Sequence, residues 1–331
     1  MFINTNNIDT MKRKTKAILS LVGAGPGDPE LISIKAIKAI QKADVILYDS
    51  LVNPQVFNLA FEDFDPYNKT KWIDNIDLAP DDFDSSVIYE WLNEKNQELD
   101  LLSPSNRREA KQPNKSRYPE LIFVGKRKGH KSVKQEDINS LILDRLKAGQ
   151  HVLRLKGGDP FIFARGVEEL EIAKDNGYDY QVIPGLTSGL AVPVSRAISL
   201  TRRGQSDSVT LVTGHEIDDL KLETWARILD SGSTLIVYMG LSNIVQILRG
   251  LKKNLDTDMP ALAIHNGTLE NEKVVTSNLQ SLAQDMINHG IKSPAILIFG
   301  KYINPDLKIN KANEISKIKP EDKLETVWTA H

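Results

Sequence analysis

The chain has 331 residues and no cysteine. Disulfides, thiolate nucleophiles and Cys-ligated metals are therefore excluded, and no oxidising compartment is demanded. Histidine is sparse. The six residues, at positions 130, 151, 215, 265, 289 and 331, are scattered, and His215-Glu216 lacks the second His of a zincin helix. No metal is expected. No apolar run approaches the ~20 residues that span a bilayer, so no membrane partner is expected. Charge is nearly balanced, with 42 Lys and Arg against 44 Asp and Glu, a formal net of −2. That disfavours a nucleic-acid partner but allows a local basic cleft. No serine nucleophile elbow occurs. The opening Met1–Lys16 is polar, with Lys12, Arg13, Lys14 and Lys16, and lacks the apolar core of a secretory signal. Residues 1–16 read as a disordered tail, and the protein as cytoplasmic.

What is present is ordinary globular composition, 40% hydrophobic and 26% charged, at a length that fits about two domains. Two segments stand out: Gly23-Ala24-Gly25-Pro26-Gly27-Asp28-Pro29-Glu30-Leu31, and Arg154-Leu155-Lys156-Gly157-Gly158-Asp159-Pro160-Phe161-Ile162-Phe163-Ala164-Arg165-Gly166. Each ends an apolar run with glycines, then Asp-Pro, then a new segment. Glycine permits a sharp turn and close approach to a ligand. Asp is a favoured N-cap, and Pro suits the first helical position. Both segments read as strand, glycine turn, helix start. Two such turns at the ends of parallel strands would frame a small-molecule cleft.

Short apolar runs predict strands at Ala17–Val22, Asp44–Tyr48, Leu121–Val124, Val152–Leu155 and Tyr180–Ile183. Helical spacing separates most of them, at Pro29–Lys42, Gln135–Lys147 and Val167–Asn176. This rhythm predicts a parallel α/β sheet. Further strands are expected at Val209–Val212, Thr234–Tyr238, Ala261–Ile264, Lys273–Thr276 and Ala295–Phe299. Some lie too close together for helical crossovers, so a mixed sheet is expected there. The division gives an N-terminal α/β domain at 17–184, a C-terminal one at 185–304 and a peripheral tail at 305–331, with the boundary falling between Pro184 and Asp207. Asp74–Pro119 breaks the rhythm, with an acidic run and then a basic one, and reads as an insertion: a lid or docking arm, or a tolerated surface segment.

The chemistry has several openings. Gly23-x-Gly25 follows a strand, but Asp28 stands where a dinucleotide loop needs its third glycine, which argues against NAD. Gly125-Lys126-Arg127-Lys128-Gly129-His130-Lys131-Ser132 fails the P-loop spacing at His130. It is either a solvated basic turn or a trap for a polyanion. Asp49 closes a strand, where an acid either caps a turn or faces a cleft and takes a proton.

Together these segments resemble the tetrapyrrole methylase family, in the branch acting on uroporphyrinogen III. Further matching pieces are Ala43–Val52, Val124–Arg127, Ile183-Pro184-Gly185-Leu186-Thr187-Ser188, Leu211–His215, Val237–Gly240, Asn266-Gly267-Thr268 and Ser293–Ala295, in family order from about Ala17 to Ile303. The resemblance implies two α/β domains with the cofactor cleft between them, and a homodimer. It implies transfer of methyl groups from two S-adenosylmethionine molecules to C-2 and C-7 of uroporphyrinogen III, giving precorrin-2 for siroheme and cobalamin. An electron-rich pyrrole carbon attacks a sulfonium methyl, so alignment supplies much of the rate and neither metal nor Cys is required. Position by position, the resemblance implies Asp49 as proton acceptor and Lys126 as proton donor. It places S-adenosylmethionine against Pro26, Gly157, Gly158, Asp159, Ile162, Thr187, Ser188, Met239 and Gly267. The substrate's rim of carboxylates would meet Arg127, Lys128, Arg165, Arg202 and Arg203. Ala164 and Val167 stand where the family usually has glycine, and Ser199 and Arg202 replace a usual Pro and His. Tuning rather than loss is expected. The alternatives are a later precorrin methyltransferase and a cofactor-binding protein that has lost catalysis.

Overall fold

The computed structural model describes residues 17–61, 118–125 and 133–303. Lys126, Arg127 and Lys128, both tails, and residues 74–117 of the insertion lie outside the described residues.

The chain divides into two compact units, 1–188 and 189–331. The first holds strands β1 (Ile18–Gly23), β2 (Val45–Tyr48), β3 (Glu120–Phe123), β4 (His151–Lys156) and β5 (Asp179–Ile183). They form one sheet in the order β3-β2-β4-β1-β5, with every neighbouring pair parallel. Both faces are covered, as a parallel sheet requires. On one face α1 (Ile34–Ile40) and α2 (Val56–Ala60) bury Ala36, Ala39, Ile40, Val56 and Phe57 against Val22, Ile46, Leu153 and Leu155. On the other, α3 (Gln135–Lys147) and α4 (Gly166–Asp175) bury Ile138, Ile142, Leu146 and Ala173 against Leu19, Val45, Leu47 and Val152. Strand periodicity explains the division: adjacent residues of β2 and β4 serve opposite faces.

The second unit is mixed, as expected. It comprises β6 (Val209–Thr213), β7 (Thr234–Tyr238), β8 (Pro260–His265), β9 (Lys273–Asn278) and β10 (Ala295–Phe299), in the order β6-β7-β10-β8-β9. β6 and β7 are parallel and the other pairs antiparallel. Helices α6 (Asp219–Asp230), α7 (Ile244–Leu251) and α8 (Leu282–Asn288) cover one face through Trp225, Leu229, Ile247, Leu251 and Met286. The other face packs Ile236, Leu262, Ile264 and Ile298 against Val192 of α5 (Ser188–Ser195) and against Ile198 and Leu200.

The helix starts need correcting. After Asp28-Pro29 comes only a 3₁₀ turn, Pro29–Leu31, capped by Asp28 Oδ1 accepting from Glu30 N at 2.9 Å. Ile32 and Ser33 are extended, and Ser33 Oγ then caps α1 by accepting from Ala36 N at 3.1 Å. The expected single helix Pro29–Lys42 is therefore two pieces. After Asp159-Pro160 no helix begins until Gly166. Asp159 Oδ1 accepts from Phe161 N (2.9 Å) and Ile162 N (3.3 Å), a local turn that competes with helix.

Candidate active site

In the first unit the segments singled out by sequence follow the C-terminal ends of parallel strands. The connection from β1 runs to β2 and that from β4 runs to β5, so the chain leaves this neighbouring pair in opposite directions, where open α/β sheets bind ligands. There the two glycine loops bond to each other. Gly158 N donates to Gly25 O at 2.7 Å, and Gly25 N donates to Gly158 O at 3.2 Å. The loop after β5 joins them. A Cβ on Gly185 would come within 2.2 Å of Gly158 O and 2.8 Å of the Gly23 backbone. Real Cβ atoms do not approach so closely, so this contact requires glycine. Asp159 Oδ2 lies 3.4 Å from Gly185 N, which ties the β4 loop to the β5 loop. Among the described residues the outer side at Gly158 is open: a Cβ there would meet Thr187 Cα, at 3.8 Å, and nothing nearer.

Pro26 is half-buried, and Asn53 Nδ2 donates to the adjacent Gly27 O at 2.9 Å. Leu51 closes over the β4 loop, since a Cβ on Gly157 would sit 2.5 Å from Leu51 Cβ. Thr187 is buried, Ser188 half-buried and Ile162 exposed. Arg165 is exposed and pairs with Glu168 through bonds of 2.8 and 2.7 Å. Glu168 raises the Arg165 pKa, and Arg165 lowers that of Glu168.

Asp49 follows β2 directly, and its side chain is 22% exposed. Its Oδ1 accepts from Leu51 N at 3.0 Å, and its Oδ2 lies 3.5 Å from a terminal nitrogen of Arg154. Arg154 leads inward to a group that sequence reasoning missed. Its Nε donates to Glu169 Oε1 at 2.9 Å, while Lys156 Nζ donates to Glu169 Oε2, also at 2.9 Å. Glu169 is fully buried, and the side chains of Arg154 and Lys156 are 4% and 5% exposed. Burial lowers the Lys156 pKa most, the nearby Arg154 adds to this, and Glu169 opposes it. A signal was available: Arg154 and Lys156 alternate with Leu153 and Leu155 in a strand buried on both faces, where cations require partners.

In the second unit the singled-out residues also follow strand ends. Met239 follows β7 at φ 54°, half exposed. Gly267 follows β8 between Asn266 and Thr268, at φ 48° and 71°. A Cβ on Gly267 would strike Val192 of α5 at 2.3 Å. Glu272 pins this loop by accepting from Thr268 N at 2.7 Å and pairing with Arg196. Arg202 and Arg203 are exposed on a turn closed by Arg202 and Ser206. Among the described residues no cluster of His, Asp and Glu could hold a metal ion, and no helix is long and apolar enough to cross a membrane.

A doubly wound parallel unit, a mixed unit and glycine loops at the strand ends define a class. The chain belongs to the tetrapyrrole (corrin/porphyrin) methylases, whose family model matches residues 19–283. Within that family it is 37% identical over 282 residues to the uroporphyrinogen-III C-methyltransferase of Pseudomonas aeruginosa, covering 85% of this chain and 92% of that one. It is 34% identical over 286 residues to the enzyme of that name from Methanocaldococcus jannaschii, covering 86% and 96%. Among solved structures it is similar to the uroporphyrin-III C-methyltransferase of Thermus thermophilus complexed with S-adenosyl homocysteine. That match has a TM-score of 0.58 and 29% identity, over 86% of this chain and 98% of the other.

Proposed function

We propose that the chain methylates uroporphyrinogen III at C-2 and C-7, using two molecules of S-adenosylmethionine and yielding precorrin-2 for siroheme or cobalamin. The observation that supports this reading is a partly exposed carboxylate, Asp49, at the end of β2 beside β4, whose own glycine loop leaves Gly158 open among the described residues. The residues fit the co-substrate. Among the described residues the backbone at Gly158 is open to close approach, and the exposed Ile162 further along the same loop offers an apolar surface. The family resemblance adds Met239, which is half exposed, and Gly267 as further contacts of the co-substrate.

S-adenosylmethionine supplies an electrophilic methyl on a sulfonium. The pyrrole carbon forms the new carbon–carbon bond as the sulfur–methyl bond breaks, leaving the electron pair on sulfur. The methylated macrocycle then releases one proton, which Asp49 accepts. Lys126 serves as the proton donor. Arg127, Lys128, Arg165, Arg202 and Arg203 hold the substrate's carboxylates. The working form is a cytoplasmic homodimer that needs no metal.

The test is anaerobic incubation of the purified protein with uroporphyrinogen III and S-adenosylmethionine, with mass spectrometry of the macrocycle. Two added methyl groups are expected. An unmodified macrocycle, with S-adenosylmethionine binding intact, would sink the reading and point to a later precorrin substrate or a lapsed enzyme.

A further inference from the structure

The group behind Asp49 is more elaborate than a strand interior requires. Three charged side chains, Arg154, Lys156 and Glu169, lie almost wholly out of water on the face of β4 covered by α3 and α4. Such groups rarely add net stability over apolar residues of similar volume, because desolvation offsets the attraction. Their geometry is directional. Arg154 is held on three sides: Nε by Glu169 Oε1 at 2.9 Å, and Nη1 by Leu155 O at 2.8 Å and Leu47 O at 3.4 Å. Its remaining terminal nitrogen faces Asp49 Oδ2 at 3.5 Å. Lys156 occupies the second oxygen of Glu169, and Gln135 Nε2 donates to the first at 3.3 Å. Both oxygens of Glu169 are therefore held, and Glu169 in turn holds the guanidinium. Two cations face two carboxylates, so the four groups balance in formal charge. A lysine at 154 could not reproduce this, because only the planar fork reaches Glu169 and Asp49 together.

We propose that Arg154, locked by Glu169 and Lys156, is the positioning residue that fixes the Asp49 carboxylate at the mouth of the site. Glu169 in α4 thus sets the orientation of a proton acceptor it does not touch. The inference rests on the role proposed above for Asp49.

The test is a double-mutant cycle of Arg154→Lys with Asp49→Asn, read as kcat and KM in the two-methyl assay. Arg145→Lys serves as a structural comparator, since Arg145 makes a similar fork to Glu120 at 2.8 and 2.9 Å on the same sheet. Arg154→Lys should lower kcat by about 100-fold, the scale of a 1 Å misplacement, with KM for S-adenosylmethionine unchanged. In the Asp49→Asn background it should cost nothing further. Arg145→Lys should leave kcat of the folded protein intact. An equal loss from Arg154→Lys in both backgrounds would overturn the proposal, as would a rise in KM with kcat unchanged. If Arg154→Lys does not fold, the pair Arg154→Gln with Glu169→Gln replaces it in the same cycle. That pair removes one charge of each sign and leaves Lys156 and Asp49 balanced. An inactive wild type would overturn the functional reading and this inference with it, whereas an active wild type with additive losses overturns this inference alone.

Discussion

Two residues beyond β1 and β4 of the first unit the left-handed positions are glycines, Gly25 at φ 84° and Gly158 at 69°, with Phe163 and Arg165 left-handed only further along the β4 loop. At the corresponding ends of the second unit they belong to Met239, Asn266 and Thr268, residues that carry a Cβ. The difference follows from what each turn must meet. In the first unit backbone meets backbone, and no side chain fits between Gly158 and Gly185. In the second the turn presents a side chain outward, and surrounding contacts such as Glu272 with Thr268 N hold the strained backbone. The units also differ in charge. Among the described residues the first gathers three buried charges, Arg154, Lys156 and Glu169, whereas in the second the wholly buried polar residues are Ser206, Ser233 and Thr234, and the one buried carboxylate in its ion pairs, Glu272, reaches out to a partly exposed Arg196.

The largest expected effect lies in the charged unit. Asp49→Asn should lower kcat by roughly 10²–10⁴-fold, the usual contribution of a positioned proton acceptor, while calorimetry shows unchanged S-adenosylmethionine affinity. Normal turnover by the folded variant would take the chemistry out of this unit. Glu169→Gln should destabilise the protein by about 3–5 kcal/mol in denaturant titration, because Arg154 and Lys156 would be left buried with only Asp49 between them. Gly185→Ala should cost about 1–3 kcal/mol through overpacking against Gly158 O, and should weaken cofactor binding. A neutral result would mean that the glycine contact is not needed. Met239→Gly tests the other strategy. It should raise stability by up to about 1 kcal/mol by relieving φ 54°, while weakening S-adenosylmethionine binding. Tighter binding would contradict the assigned use of that side chain.

The smallest effect is pH-linked and lies at the far end of the first sheet. His151 begins β4, and its ring lies 2.7 Å from Ser20 Oγ. Burial lowers its pKa below 6.5, against an opposing effect of Asp44. Below pH 6.5 the unfolded chain therefore binds a proton that the folded chain resists. Stability falls as pH drops through that window, and His151→Gln should flatten the slope measured by thermal melts between pH 7 and pH 5. An unchanged slope would remove His151 as its source.

The strands were legible because each is a short apolar run closed by glycine or a turn residue, and no expected bound moves by more than two residues. The helix starts were less so. Asp28-Pro29 and Asp159-Pro160 look alike in sequence, yet each Asp closes only its own turn, and Ser33 and Arg165 occupy the true caps of α1 and α4. The glycine loops were legible as turns that close strands. Their packing against one another was not, because it depends on β1 lying between β4 and β5. The Asp49–Arg154–Glu169–Lys156 group stayed hidden for the same reason. β2 must lie beside β4 for residues 49 and 154 to meet, and that order comes from sheet assembly, not from local pattern.

The paired bonds between Gly25 and Gly158 have a mechanical consequence. Two loops that would otherwise fluctuate independently share one small ladder, so neither can be displaced without moving the other. Asp159, spanning to Gly185, extends this coupling to the loop after β5. The three loops therefore form one hydrogen-bonded layer whose disorder was surrendered on folding. On the proposed reading a ligand lying there need not immobilise it again, and more of its contact energy remains as affinity.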